Sequence, residues 1–328
     1  MISVIIPTRN RASMLAAALD SLVTQTIDPR RFEILVIDNG STDDTPDVAK
    51  QASEKLANMR YCYESEPGLH AGRHLGLKES RGDLLAFADD DIVALPTWLA
   101  AIEDAFSKPH VALVGGNNLP MFIDPPPPWL TELWGRGSAH GGRAIPALSL
   151  IELEGEMRPI SPMLVWGCNF SIRKNVLLQA GGFHPDGMPK ELIRFRGDGE
   201  THVSNFVAQS GMRCLFQPEA TVYHKVTPER MTHAYFHQRG FNQGVSQSYT
   251  ELRSRATTQA TQSRRRYRLL RNVVRRLRRK VALQRCSTHL KRALSELEAG
   301  HRKGFAFHQE VYRSDPEVRE WVHRASYF

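Results

Sequence analysis

Along the first 115 positions, short unbroken apolar runs alternate with segments whose apolar residues recur every three to four places. Val4-Ile5-Ile6, closed by Pro7, reads as a buried first strand. Between about Arg11 and Thr26, residues Met14, Leu15, Leu19, Leu22 and Val23 keep helical spacing. Phe32 to Ile37 is a second buried strand. It runs into Asp38-Asn39-Gly40-Ser41-Thr42-Asp43-Asp44, where Gly40 permits a turn and Thr42 or Asp43 can cap the next helix. A third strand over Arg60–Tyr63, a helix over 70–80, and a strand Leu84-Leu85-Ala86-Phe87-Ala88 follow. A helix from Pro96 to Phe106 and a strand at Val111–Val114 complete this half. Strands and helices in strict alternation predict an α/β fold around a doubly wound, mostly parallel sheet of Rossmann-like type.

Residues 117–161 lose periodicity, and Pro125–Pro128 with the glycines beyond them predict a long surface excursion. Regular structure returns at Met163–Ile172, Glu200–Ser210 and Arg213–Phe216, and in a strand from Ala220 that ends at His224. After Pro228 the pattern is helical to the end. The expected units are residues 1–115, 116–227 and a helical extension over 228–328.

An apolar share of 41% and a charged share of 24% are those of an ordinary water-soluble protein. The apolar runs are far short of a membrane span. The opening Met-Ile-Ser-Val-Ile-Ile-Pro lacks the basic start of a signal peptide. Cys62, Cys168, Cys214 and Cys286 are widely spaced, which argues against zinc and disulfides and favours a reducing cytoplasm. The net charge of +8 is uneven, because residues 251–328 hold 20 Lys and Arg against 7 Asp and Glu. Ten of the seventeen residues from Arg264 to Lys280 are basic and none is acidic. Tyr267, Leu270, Val274, Leu277 and Val281 form one apolar stripe there, so residues 264–281 suit an anionic membrane surface. The expected location is cytoplasmic, peripheral at the inner face of the membrane. A helix packed on the body with solvated arginines is the alternative; nucleic acid is disfavoured, since no nucleic-acid module is visible.

Asp89-Asp90-Asp91 directly follows the apolar strand ending at Ala88. Open α/β sheets bind ligands at that edge. Three adjacent carboxylates repel unless a cation or ordered donors offset them, and hard oxygen ligands at this density suit Mg²⁺ or Mn²⁺. A plain polar loop is the alternative reading of the run taken alone.

Further segments, in order, change that balance. Val4-Ile5-Ile6-Pro7-Thr8-Arg9-Asn10, Val36-Ile37-Asp38-Asn39-Gly40-Ser41-Thr42-Asp43, and Gly82-Asp83 leading into the acid run are three of them. Trp166-Gly167-Cys168-Asn169-Phe170-Ser171-Ile172-Arg173, Gly181-Gly182-Phe183 and Gly197-Asp198-Gly199-Glu200 are the others. Together they resemble the family 2 glycosyltransferases, over roughly the first 225 residues and not the tail. The resemblance implies a GT-A fold and metal-dependent, inverting transfer of a sugar from a nucleoside-diphosphate sugar to a hydroxyl acceptor, saccharide or lipid-linked. It implies nucleotide-sugar contacts at Pro7, Thr8, Arg9, Asp38, Arg73, Asp89 and Asp90. Asp91 would ligate the metal, with Asp89 nearer the ribose, and His224 would be a further ligand or diphosphate contact. The catalytic base would be Glu200 or Asp198, with Glu200 favoured, and Trp166 and Asn169 would line the acceptor side. The chain departs from the family pattern at Gly72-Arg73-His74, where Asn commonly follows the Arg, and at Gly199, where an acid is usual. Plainer roles exist for single residues: Asp38 organising its turn, Arg73 solvated, His224 structural, Asp198 and Glu200 capping a helix.

A sugar nucleotidyltransferase would be expected to carry glycine in the first loop, which here reads Pro7-Thr8-Arg9-Asn10-Arg11. A nicotinamide dehydrogenase would need a GxGxxG after the first strand, which is missing. A non-catalytic scaffold binding through the tail is disfavoured by the intact acids.

Overall fold

The computed structural model describes residues 1–138, 141–257 and 286–328. Strands β1 (Ile2–Thr8), β2 (Phe32–Asp38), β3 (Met59–Tyr63) and β4 (Leu84–Ala88) are the expected apolar runs. They pair in parallel, β4 and β2 flanking β1, with β3 outside β2. The strands β5 (Ile92–Ala94), β6 (Val111–Gly115), β7 (Asn118–Phe122), β8 (Arg143–Ile145) and β9 (Leu150–Glu152) follow. The last four are β10 (Arg158–Pro159), β11 (Asn169–Arg173), β12 (Arg213–Phe216) and β13 (Val222–Val226). One eight-stranded sheet has the order β10-β12-β6-β11-β4-β1-β2-β3, so segments on both sides of residue 115 build it. β11 runs antiparallel between β4 and β6, which makes the sheet mixed.

Both faces are covered, as continuous apolar strands require. On one face Ile2, Val4 and Ile6 meet Leu15, Leu19 and Leu22 of α1 (Ala12–Val23) and Trp98, Leu99 and Ile102 of the helix Trp98–Ser107. On the other, Ile5, Leu35 and Ile37 meet Leu77 of the helix Leu69–Glu79, Val176 and Leu177, and Val203 and Val207 of the helix Glu200–Gln209. Asp43 serves two helices: its carboxylate accepts from Thr45 N (3.1 Å), and from Ala12 N (3.2 Å) at the start of α1.

Residues 117–161 are not a surface excursion. They supply β7, β8 and β9 to a second sheet, ordered β5-β13-β7-β9-β8, and a helix Pro128–Trp134. Trp129, Leu130, Leu148 and Leu150 are buried there against Phe236 and Leu290 of the C-terminal helices. Strands of three residues are too short to display a period, and prolines mask the helix start. β13, expected to end at His224, continues through it to Val226.

Beyond Pro228 the chain is helical where described: His233–Thr257, Thr288–Ser314 and Pro316–His323. The basic stripe over 264–281 lies outside the described residues. The first two of these helices pack closely through four glycines. A Cβ on Gly240 or Gly244 would lie 2.0 or 2.1 Å from the Leu297 or His301 carbonyl oxygen, and one on Gly300 or Gly304 would lie 1.9 Å from that of His237 or Phe241. Alanine has the higher helix propensity, worth roughly 1 kcal/mol. Overpacking at a backbone contact costs about 1–3 kcal/mol, so Gly244→Ala is expected to lower the melting temperature. A calorimetric scan in which Gly244→Ala melts higher than the parent would refute the close packing.

Candidate functional site

Asp89, Asp90 and Asp91 leave β4 at the carboxyl edge of the large sheet and enter β5 of the small one. Ile92 pairs with His224, and Lys225 N donates to the Asp91 carbonyl oxygen (2.8 Å). The junction between the two sheets therefore sets His224 beside Asp91. His224 Nδ1 lies 3.0 Å from the Leu148 carbonyl oxygen, an acceptor, so Nδ1 carries a proton. Its Nε2 faces Asp91 Oδ1 at 3.1 Å, the distance of an ion pair when Nε2 carries a proton as well. Without that proton the two atoms present lone pairs to each other, a gap that a cation can fill. A carboxylate and an imidazole with an anchored second nitrogen fit a divalent cation. Asp89, Cys168 and His224 also present ligand atoms within 4.8 Å of one another. Burial pushes the Cys168 thiol well above its usual range, so it stays protonated and is the poorest donor of the set for a hard cation.

Two arginines absent from the sequence expectations hold the acids. Arg11 Nε lies 2.8 Å from Asp90 Oδ1 and Nη2 donates to Asp91 Oδ2 (2.7 Å). Arg230, on a short turn Pro228–Met231, donates from Nη1 to the same Asp91 Oδ2 (3.0 Å). Burial alone would raise the Asp91 carboxyl, but His224 and the two guanidiniums hold it well below the usual carboxylate range. Burial wins at Asp90, pushed up to about 7 against the opposing charge of Arg11. Asp90 Oδ2 also accepts from Thr8 Oγ1 (2.8 Å). Burial and the charge of Asp91 raise Asp89.

Pro7, Thr8, Arg9 and Arg11 line a cavity of about 300 Å³ with Asn39 and the three acids. Asp38 stands apart: it is fully buried, and its carboxylate accepts from Ser41 N (2.7 Å) and Tyr61 Oη (2.7 Å). Its neighbour Asn39 faces the cavity instead.

A second cavity of about 340 Å³ is lined by Trp166, Asp198, Glu200, Arg239, Gln243 and Gln247, among others, so the helix His233–Thr257 forms one wall. Arg73 lies between the cavities and is buried, not solvated. Its Nη2 is 3.8 Å from Asp89 and its Nη1 3.5 Å from Glu200, with the guanidinium over the Phe183 ring. Gly167 leaves room for it, since a Cβ there would lie 2.2 Å from Arg73 Nη2. Glu200 opens the helix Glu200–Gln209 and accepts from Gly167 N (3.3 Å). Gly199 before it has φ 54° and ψ −125°, a conformation open to glycine, which accounts for the missing acid of the family pattern. Asp198 is enclosed: His184 Nδ1 lies 2.6 Å from one carboxylate oxygen and Thr250 Oγ1 donates to the other (2.6 Å). Asn169 is buried, accepting from Trp98 Nε1 (3.0 Å) and donating to the Ala220 carbonyl oxygen (2.9 Å).

The profile of the family described as "Glycosyl transferase family 2" matches residues 3–179. The chain belongs to this family. Glycosyltransferase AglE of Haloferax volcanii is 38% identical over 117 residues, 35% of this chain and 38% of that protein. Glucosyl-dolichyl phosphate glucuronosyltransferase of the same organism is 24% identical over 253 residues, 74% of each chain. The solved mannosyltransferase PcManGT of Pyrobaculum calidifontis, in complex with GDP-Man and Mn²⁺, superposes with a TM-score of 0.55 at 20% identity. It covers 98% of this chain and 82% of its own. The fold is GT-A. Among the described residues no helix is long and apolar enough to cross a membrane.

Proposed function

We propose that the protein transfers a glycosyl group from a nucleoside-diphosphate sugar to a hydroxyl acceptor, with inversion, in the presence of Mg²⁺ or Mn²⁺. The observation that carries this reading is Arg73, whose one guanidinium spans Asp89 of the first cavity and Glu200 of the second. The first cavity, with Pro7, Thr8, Arg9 and Asn39, takes the donor nucleotide; the second takes the acceptor.

Asp91 and His224 would hold the cation, with Asp89 the nearest further carboxylate. When bound, the cation supplies Lewis-acid stabilisation of charge on the departing nucleoside diphosphate. Asp90, engaged by Thr8 and Arg11, keeps the acid run in place. Glu200 accepts the proton of the acceptor hydroxyl as that oxygen attacks the anomeric carbon from the face opposite the diphosphate, a single displacement. Its orientation comes from Gly167 N and Arg73. Asp198, with both oxygens engaged, positions the start of that helix instead. Trp166 offers an aromatic face in a cavity otherwise rich in amide, hydroxyl and charged groups, which suits a sugar-bearing acceptor. The relative named for glucosyl-dolichyl phosphate makes a lipid-linked saccharide one acceptor of this class.

Incubation with UDP-, GDP-, ADP- and dTDP-sugars, with Mn²⁺ and then with EDTA, tests the reading. Release of nucleoside diphosphate from at least one donor is expected, lost with EDTA and restored by Mg²⁺ or Mn²⁺. Cation-independent release, or none from any donor with saccharide and lipid-linked acceptors present, would overturn it.

A further inference from the structure

Asp91 is the residue proposed to hold the cation, yet its Oδ2 already accepts from two guanidiniums, Arg11 at 2.7 Å and Arg230 at 3.0 Å. Arg230 Nη1 is also 3.5 Å from His224 Nε2, the other atom proposed for the cation. One positive group thus occupies the corner that a divalent cation would claim. Two cations sharing one carboxylate repel strongly in a buried site, so they coexist only when a further anion arrives. The donor brings that anion in its diphosphate, and a guanidinium fork matches phosphate oxygens as well as it matches carboxylate.

Arg230 is tethered lightly enough to change partners. It sits on a four-residue turn, its Nε is buried without a hydrogen-bond partner among the described residues, and its other contacts there include the Lys225 carbonyl oxygen at 3.4 Å and the Tyr235 ring. The same turn leads directly into the helix His233–Thr257, which walls the second cavity. Arg11 lines the first cavity and is 40% exposed, but it keeps Asp90 as a second partner.

We propose that Arg230 stands in for the divalent cation at Asp91 while the site is empty, and turns to the donor diphosphate on loading. This rests on the glycosyltransferase reading. Arg230 is then a positioning residue with opposite effects on two ligands: it opposes the cation alone and supports nucleoside diphosphate once the cation is bound.

The test uses the full chain, wild type, Arg230→Ala and Arg230→Lys, with folding checked by melting temperature. Mn²⁺ alone is titrated by electron paramagnetic resonance. UDP, GDP, ADP and dTDP are titrated calorimetrically at saturating Mn²⁺. For Arg230→Ala we expect Mn²⁺ alone to bind about tenfold more tightly, and the preferred nucleoside diphosphate to bind at least tenfold more weakly. Arg230→Lys should fall between, since it keeps the charge without the fork. Weaker or unchanged Mn²⁺ binding by folded Arg230→Ala would overturn the proposal and mark Arg230 as a structural ion pair. Unchanged nucleotide affinity would also overturn it. Wild-type protein that binds neither Mn²⁺ nor any of the nucleotides would instead remove the glycosyltransferase reading on which the proposal stands.

Discussion

Glu200→Gln is expected to lower sugar transfer by about 10³-fold, within the range that general acid–base groups contribute. The amide keeps the size of the carboxylate and can still accept from Gly167 N, 3.3 Å away in the native protein. It cannot take a proton from an acceptor hydroxyl. Donor and cation sites lie on the far side of Arg73, so nucleoside-diphosphate affinity should change little, and the loss should appear in kcat. Asp198→Asn separates this from the alternative base. There the amide nitrogen must face either His184 or Thr250, both 2.6 Å from the carboxylate, so one buried contact is lost. A buried group left unpaired costs about 1–3 kcal/mol, and the variant should melt lower with kcat per folded molecule largely kept. Steady-state kinetics beside thermal melts decide the matter. More than a tenth of wild-type kcat in Glu200→Gln, or a catalytically dead but thermally intact Asp198→Asn, would reverse the assignment.

How far these residues could be read from the chain depends on how local their causes are. Strands covered on both faces appear as continuous apolar runs, so β1 to β4 and the helices between them were visible. The acids of the site sit where such runs stop, and Asp89, Asp90 and Asp91 were legible for that reason. His224 was placed with Asp91 only through the family resemblance: their closeness arises from β5 pairing with β13, a contact with no local signal. Arg230 was hidden for the same cause, being one more arginine in a polar turn. Arg11 had a trace, a basic residue just past the loop of the first strand, which faces the carboxyl edge. Asp38 is enclosed by Ser41 and Tyr61 while its neighbour Asn39 faces the cavity, so a strand end alone does not tell which of two adjacent polar residues it presents. The small sheet escaped because strands such as Arg143–Ile145 have too few residues to show alternation. The glycines of the C-terminal helices lie four apart on each helix, a spacing legible afterwards as a close crossing.

Asp91→Asn should abolish both Mn²⁺ binding and transfer, with turnover reduced by roughly 10³-fold or more, since a catalytic cation supplies several kcal/mol of transition-state stabilisation. The amide preserves shape but halves the acceptors: its nitrogen would face either His224 Nε2 or the guanidiniums of Arg11 and Arg230. Facing His224, it donates into the lone pair that the cation requires; facing the arginines, it meets donors with donors. Either orientation removes the charge that makes the corner attractive to Mg²⁺ or Mn²⁺. The fold should survive, because Arg11 retains Asp90 at 2.8 Å and the loss of one carboxylate relieves repulsion within the acid run. Asp90→Asn is the control at the adjacent position. Its oxygens are taken by Thr8 and Arg11, so it should retain Mn²⁺ binding within a few-fold. Titrating Mn²⁺ into both variants, with circular dichroism to verify folding, distinguishes the roles. An Asp91→Asn protein that turns over near the wild-type rate in Mn²⁺ would move the cation to other ligands, of which Asp89 with His224 is the remaining pair.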